Sequence, residues 1–529
     1  MAGLVVGHLG IEGVSQVACL AVAWVMVLGA FGVEHRGGWV LLLGGGVAAL
    51  GVVRYDLARQ RLPEWEGRPS REARLVVEVT RRFAGGEDPR KVSGLGVVTS
   101  TDPHLRSLVG QRIYFSARLP RNEMRPVRSA AVEVRGQLEV LPRNPSPATF
   151  EGFLAGAGIN FKLSRARIVR TQRPATTYWQ WCDTVQARMS EAVGWGVEAH
   201  PEWVGILRAM VLGQQSELSE AQSDGFAQSG TLHLFSISGL HVTVIALALG
   251  GLLSLCRFPL AVNVVVVLGL LWLYVDITGR VPSAVRAFFM IFLFKMAKVV
   301  RAPSNPVSTL VVSALVVLII EPVQLFSASF QMSYGIVAAL LLLGLPLANA
   351  WEEKSRLFRG LPVVSWKPVH HLLDHARRSL VSAAAIGVAT LPVSAVAGVL
   401  YFGLFTPGAL LANLVVIPAA SLALLGGFGS IVATFVGEPT LALLFNRAAV
   451  LMLGLIEQVT AWFVTLPGVF LRVQFRAPWM GFLTFALLIG LLLGGFQRSW
   501  SPRIGGFWLP FVVTALALIF LVTFAPSPV

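Results

Sequence analysis

Charge is scarce in this 529-residue chain. Asp, Glu, Lys and Arg make up 13% of it, against about 25% in an ordinary soluble domain, which excludes a water-soluble globule of usual composition. Acid is scarcer than base, 28 residues against 43, for a formal net charge of +15. An anionic partner or an anionic membrane face is therefore favoured over a cationic one. Cysteine is nearly absent: Cys19, Cys182 and Cys256 lie far apart, which excludes a disulfide framework and a cysteine metal site. No Walker sequence, glycine-rich phosphate loop or His-Glu-x-x-His motif occurs, so no motor or zinc-peptidase centre is visible. What abounds is apolar sequence, 55% of the chain, as in a polytopic α-helical membrane protein.

The basic excess is uneven. From Arg54 to Ser190 there are 24 Lys and Arg against 13 Asp and Glu, a net of +11. Ahead of this block, the apolar runs Val14–Val33 and Gly38–Val53 read as a transmembrane hairpin (domain 1–53); the first is too long for a signal-peptide core and has no basic residues before it. Residues 54–175 change character. Short alternating runs at 74–80, 91–99, 112–119, 131–140 and 160–169 are punctuated by Gly, Pro, Asn and Asp, a pattern that predicts five strands and suits a small OB-type barrel. Arg112, Arg118, Arg135, Arg165 and Arg167 fall on its polar face, as on a platform for single-stranded nucleic acid. The structural alternative is a solvated surface, and aromatic partners are few: Tyr114, Phe115 and Phe161.

Residues 176–228 form an amphipathic and connecting region, with Trp179, Trp181 and Trp195 as expected interface anchors. A membrane core follows over 229–436, then C-terminal spans over 437–529. The expected spans are 232–256, 258–277, 283–300, 305–320, 325–347, 379–400, 405–436, 439–466, 479–495 and 507–525. With the hairpin they total about twelve. Pro392 and Pro418 predict that some are broken or re-entrant. Lys295, Lys298 and Arg301, the segment 354–378, and Arg498 with Arg503 assign the cytoplasmic side. Counting back leaves the barrel and both termini outside, with Arg472 and Arg476 as exceptions.

Several apolar runs carry polar groups that cost a few kcal/mol each unless they face protein or water. In 229–242 these include His233, Ser236, Ser238 and His241. Ser238 and His241 are three apart, as on one helix face, beside Gly239, which admits a close backbone. In 279–287, Pro282 suits a first helical turn and Arg286 lies one turn inside the membrane, near Arg280, Ser283 and Asp276. An ionisable group there points to function, and its alternative is snorkelling to the interface. Gln331, with Ser327, Ser329 and Ser333, and Asn413, near Pro418, mark two more patches whose alternative is interhelical bonding. Glu457 with Gln458 and Arg447 is a further polar site, buried or interfacial. The cluster His370, His371, Asp374 and His375 lacks metal-site spacing and reads as a basic loop or amphipathic helix beside Arg377 and Arg378. A Ser238–His241 nucleophile has no carboxylate nearby in sequence. No catalytic group, metal or cofactor is expected.

These stretches resemble the ComEC-type competence channel family. Leu232 to Val242 is similar to its His-Leu-Leu-Ala-Ile-Ser-Gly-Leu-His-Val signature. Thr278 to Ala287, Glu321-Pro322 to Tyr334, and Ala389-Thr390-Leu391-Pro392 through Asn413 to Pro418 resemble three further motifs. Asn144-Pro145 with Phe150 to Ile159 resembles the end of the family's extracytoplasmic OB-like domain. The resemblance implies a multi-pass inner-membrane channel that passes single-stranded DNA to the cytoplasm in natural transformation, among membrane lipids, with an extracytoplasmic DNA receptor and a cytoplasmic helicase-like ATPase as partners. His233, Ser236, Ser238, Gly239, His241, Arg280, Pro282, Ser283, Arg286, Gln331 and Asn413 would line the path. Three departures stand out. The family's metallo-β-lactamase-like domain gives way to two further apolar spans, so no intrinsic nuclease is expected. The barrel lacks a cysteine pair, and Gln214-Gln215 replaces an Asp-Arg. The rival readings are a secondary transporter or lipid-handling protein, and an intramembrane hydrolase.

Overall fold

In the computed structural model the described residues are 49–524, except 84–87, 89, 122, 144, 302–304, 359–364 and 501–505. The predicted hairpin, apart from its end at 49–53, lies outside them, as do Arg36, Gly85, Gly86, Glu87, Asn144 and Arg503. The described residues divide into two compact units, one of 49–83, 90–175 and 314–330, the other holding most of the helices.

The first unit contains the five predicted strands: β1 (Arg71–Phe83), β2 (Lys91–Thr101), β3 (Arg112–Arg118), β4 (Ala131–Val140) and β5 (Phe161–Arg173). They close a barrel in the order β1-β2-β3-β5-β4, with β3 and β5 parallel and the other pairs antiparallel. Alternate residues fill the interior, among them Leu75, Val77, Ile113, Phe115, Val132, Val134, Phe161 and Leu163. Phe115 and Phe161, two of the three expected stacking rings, are thus core. A short helix, α1 (Phe150–Gly156), is capped by the Thr149 hydroxyl and packs Leu154 with Leu141 and Ile159 against Leu95 and Tyr114.

A bulge adjusts β5. Arg165 sits at φ +48° opposite Gly136, where an added Cβ would lie 2.4 Å from the Ala166 Cβ. The extra residue turns both Arg165 and Arg167 outward.

Glu133 is covered by cations and an amide. It pairs with Arg74, accepts Arg170 Nε at 3.0 Å and accepts Gln172 Nε2 at 3.2 Å. Burial pushes its carboxyl up, but those hydrogen bonds outweigh burial and hold it below the ordinary glutamate value. A carboxyl depressed on folding stabilises the folded form above its unfolded pKa, about 4.3, and that contribution is lost as pH falls through the folded value. We expect Glu133→Gln to lower the melting temperature at pH 7 and to flatten its fall between pH 4.5 and 3, read by thermal melts across pH. An unchanged slope would assign the acid sensitivity elsewhere.

The helices that follow lie in the second unit, apart from residues 314–330. After α2 (Thr177–Gly194), α3 (Pro201–Leu212) and α4 (Glu220–Gln228) come α5 (Gly239–Leu255), α6 (Leu260–Ile277), α7 (Pro282–Val299) and α8 (Pro306–Ile320). Then follow α9 (Ala328–Lys354), α10 (Pro368–Phe402), α11 (Ala409–Val436), α12 (Pro439–Val464), α13 (Pro478–Gln497) and α14 (Leu509–Phe520). Among the described residues six helices, α6 and α9 to α13, are long and apolar enough to cross a membrane. The chain is a polytopic membrane protein bearing a small β domain.

Two expectations are corrected. The span placed at 232–256 begins at Gly239, because residues 232–234 form a 3₁₀ turn. Pro392 and Pro418 do not break their helices, since α10 and α11 run on through them. The irregular turn falls instead at Leu340–Gly344, a π-helical segment of α9. Trp179 is half-buried against the bundle, whereas Trp181 and Trp195 are exposed. The end of α2 is likewise held inside, its Ala192 carbonyl accepting Ser430 Oγ at 3.1 Å and Asn446 Nδ2 at 2.8 Å. These bonds satisfy a helix end that no water reaches.

A three-stranded sheet, β6 (Leu404–Phe405), β7 (Leu471–Phe475) and β8 (Val522–Phe524), joins the α10–α11 link, the α12–α13 link and the chain beyond α14. Those three loops therefore share one face of the bundle.

Candidate functional site

The conspicuous stretch 229–241 is a tight entry into α5. Gly230, at φ +73°, meets the start of α11 so closely that an added Cβ would lie 2.5 Å from Ala409 Cβ. Ser229 and Thr231 are buried and bonded to each other at 2.9 Å. Ser238 is the N-cap of α5 rather than part of it, and its backbone N–H donates to His241 Nδ1 at 3.0 Å. The expected shared helix face is thus a cap. Because Nδ1 accepts, Nε2 carries the proton. His241 is 1% exposed, and among the described residues Nε2 has no partner.

His233 holds the opposite tautomer: its Nδ1 donates to the Gly230 carbonyl at 3.2 Å, leaving Nε2 as an acceptor. It is exposed and lies within electrostatic reach of His241. Ser236 Oγ bonds back to the His233 carbonyl.

The second motif packs on the first. Ser283 Oγ donates to the Ile237 carbonyl, and Gly239 faces Ala287 of α7. Pro282 opens α7 as expected. Arg286 is 1% exposed, which removes snorkelling as its explanation, and it interacts electrostatically with Tyr334 of α9, in the third motif. The stretches singled out in sequence are therefore linked in space: the first to the fourth at Gly230, the first to the second at Ser283, and the second to the third at Arg286. Gln331 is buried on α9, and Asn413 Oδ1, one turn into α11, is buried without a hydrogen-bond partner among the described residues.

Arg280 has a different setting. It pairs with Asp276, whose Oδ2 accepts Tyr178 OH at 2.7 Å, and its guanidinium lies 5.1 Å from the ring centroids of both Trp179 and Trp272. Asp276 is thus committed to Arg280 and not to Arg286. Other polar groups are also engaged. Glu457 accepts Trp203 Nε1 at 2.6 Å and Gln222 Nε2 at 3.3 Å. Asp374, within α10, pairs with Arg377 and Arg378, both at 2.7 Å. Gln214 accepts Ser190 Oγ at 3.2 Å. Sequence reasoning missed the tryptophan cage and the Glu457 cradle, since both are assembled from residues far apart in the chain.

On the barrel, strand register aligns cations. Arg74 faces Arg135, Arg135 faces Arg167, Arg167 faces Arg118 and Arg118 faces Lys91, so one exposed rung crosses all five strands. Four strand gaps make it about 19 Å long. Like charges placed opposite each other are destabilising, so such a rung needs an anion or a partner carboxylate. Arg74 has Glu133, and Arg135 has Glu72 at 2.7 Å. Lys91 and Arg167 have no ion pair among the described residues. Beside the rung, Arg71, Arg135, Arg165 and Arg167 line an open groove of about 630 Å³. Of the arginines expected on this face only Arg112 stands apart, paired with Glu321 at 3.3 Å.

Buried polar motifs that meet among apolar helices, with a basic β domain, define a multi-pass membrane protein. The chain belongs to the Competence protein family, whose family model matches residues 210–498, more than half of its length. It is similar to ComE operon protein 3 of Bacillus subtilis (strain 168), 28% identical over 142 residues, which are 27% of this chain and 18% of that protein. It is also similar to Competence protein ComA of Neisseria gonorrhoeae, 30% identical over 166 residues, 30% of this chain and 22% of that protein. These matches span about a fifth of each relative. No solved structure matches the chain.

Proposed function

We propose that the protein is an inner-membrane conduit that passes one DNA strand to the cytoplasm during natural transformation. The observation that carries this reading is the linkage of the motif stretches around His233, His241 and Arg286, which sets the His241 Nε2–H and a guanidinium inside apolar helices. Competence-family membership supports DNA uptake as the process. An imidazole N–H and a buried guanidinium suit a phosphodiester, while scattered hydroxyls and amides bind weakly enough for the strand to leave.

On this reading the barrel lies outside and offers its basic rung to incoming DNA, and a DNA receptor delivers the strand. The cytoplasmic ends carry Lys295, Lys298 and Arg498, where a helicase-like ATPase supplies drive. The loops joined by β6, β7 and β8 fall on the outer face by the same count. A Ser238–His241 hydrolase is disfavoured, because the imidazole lone pair that would act as base is already taken by the Ser238 N–H.

Arg286 tests the proposal. Arg286→Ala is expected to cut uptake of labelled DNA at least tenfold at normal membrane accumulation, with Arg286→Lys in between because the charge survives without the fork. Uptake at the wild-type level in Arg286→Ala would sink it.

A further inference from the structure

Four aromatic rings meet on the outside of the barrel. Phe150 and Phe153 of α1 stack at 6.0 Å with their planes 21° apart. Tyr114 of β3 meets Phe150 edge-on at 5.1 Å, and Phe83 at the end of β1 reaches Tyr114 at 6.1 Å and Phe153 at 6.2 Å. Phe150 is 48% and Phe153 44% exposed. Arg81 lies 5.3 Å over the Phe83 ring. The cluster is held stiffly. The Thr149 cap fixes the start of α1, Leu154 anchors it, and Gly152 presses on the Ser146 backbone where an added Cβ would lie 2.1 Å from the carbonyl oxygen.

The cluster and one end of the basic rung meet on β3. Along β3 the outward residues are Arg112, Tyr114, Ser116 and Arg118, while Ile113, Phe115 and Ala117 point into the core. Tyr114 and Arg118, four residues apart, are about 13 Å from each other. That distance fits well within the roughly 4–16 nucleotides an OB barrel occupies. Rigid exposed rings beside a row of cations match the two halves of a single strand, bases and phosphates. A duplex hides its bases in the stack and can use only the cations.

We propose that Phe83, Tyr114, Phe150 and Phe153 form a base-stacking platform that, with the Lys91–Arg118–Arg167 end of the rung, selects single-stranded over double-stranded DNA. This rests on the reading that DNA meets the barrel. Every base has a π-face, so the platform is indifferent to sequence.

The test uses the full-length protein in lipid nanodiscs with a fluorescent twelve-nucleotide oligo-dT and a twenty-base-pair duplex. Phe150→Ala/Phe153→Ala is expected to weaken oligo-dT binding at least tenfold, leaving duplex binding and the salt slope of log affinity unchanged. Arg118→Ala/Arg167→Ala is expected to weaken both ligands and to reduce the salt slope by about 1–2. Equal losses for both ligands, or none, in the phenylalanine pair overturn the platform. Phe150→Trp supplies a readout without truncation: oligo-dT should quench its fluorescence, and quenching by brominated lipid instead assigns the patch to the membrane and overturns the proposal. Absence of binding to either DNA by the wild-type protein sinks the underlying reading, a result distinct from loss of strand preference.

Discussion

Arg280→Ala is expected to destabilise the helical unit by about 3–5 kcal/mol, the usual cost of removing one partner from a buried ion pair. The Asp276 side chain is only 2% exposed and would keep a single donor, Tyr178 OH at 2.7 Å. Asp276→Ala should cost less, because the Arg280 side chain is 33% exposed and retains two indole faces, each contact contributing about 0.5–2 kcal/mol. The neutral pair Asp276→Asn with Arg280→Gln should recover part of the loss. Thermal melts of the detergent-solubilised protein measure all three. A wild-type melting temperature for Arg280→Ala would show that the cage does not hold α2 to α6. Since this charge is committed to a carboxylate and two rings, uptake in these variants should fall only in proportion to the folded protein present.

How far the chain could be read beforehand depends on the range of the interaction. The five strands were legible because apolar residues such as Leu75, Val77 and Val79 alternate with polar ones and are fenced by Gly and Pro. The long helices were legible because lipid demands continuous apolar runs. The start of α5 was not, because Leu232, Leu234 and Phe235 lead without a break into the apolar run and only the Ser238 cap, a local hydrogen bond, places the first turn at Gly239. Arg286 was legible as a functional candidate from type and depth alone. Arg280, six residues earlier in the same motif, looked equivalent and is distinguished only by Asp276, Trp179 and Trp272 around it. The cationic rung needs the register of four strand pairs and the aromatic platform needs three elements to meet. Neither relation exists in one dimension, so nothing in the sequence sets Arg74 and Lys91 apart as part of a rung or Phe150 and Phe153 as part of a platform.

His241 separates a fold role from a transport role most sharply. Its Nδ1 closes the cap of α5, a bond whose loss costs typically about 1 kcal/mol, while its Nε2–H is a buried donor without an acceptor among the described residues. Leaving a buried donor unsatisfied costs about 1–3 kcal/mol, so a side chain that served only the cap would be better replaced by one without it. Glutamine at this third helical position keeps an acceptor for the Ser238 N–H and still offers an N–H beyond it. Leucine keeps comparable bulk and offers neither. His241→Gln is therefore expected to accumulate normally and to retain at least a third of wild-type DNA uptake. His241→Leu should lose only the cap in thermal stability yet drop uptake by two orders of magnitude or more. If uptake instead tracks the melting temperature across both variants, the Nε2 donor has no part in the path and His241 is a helix cap alone.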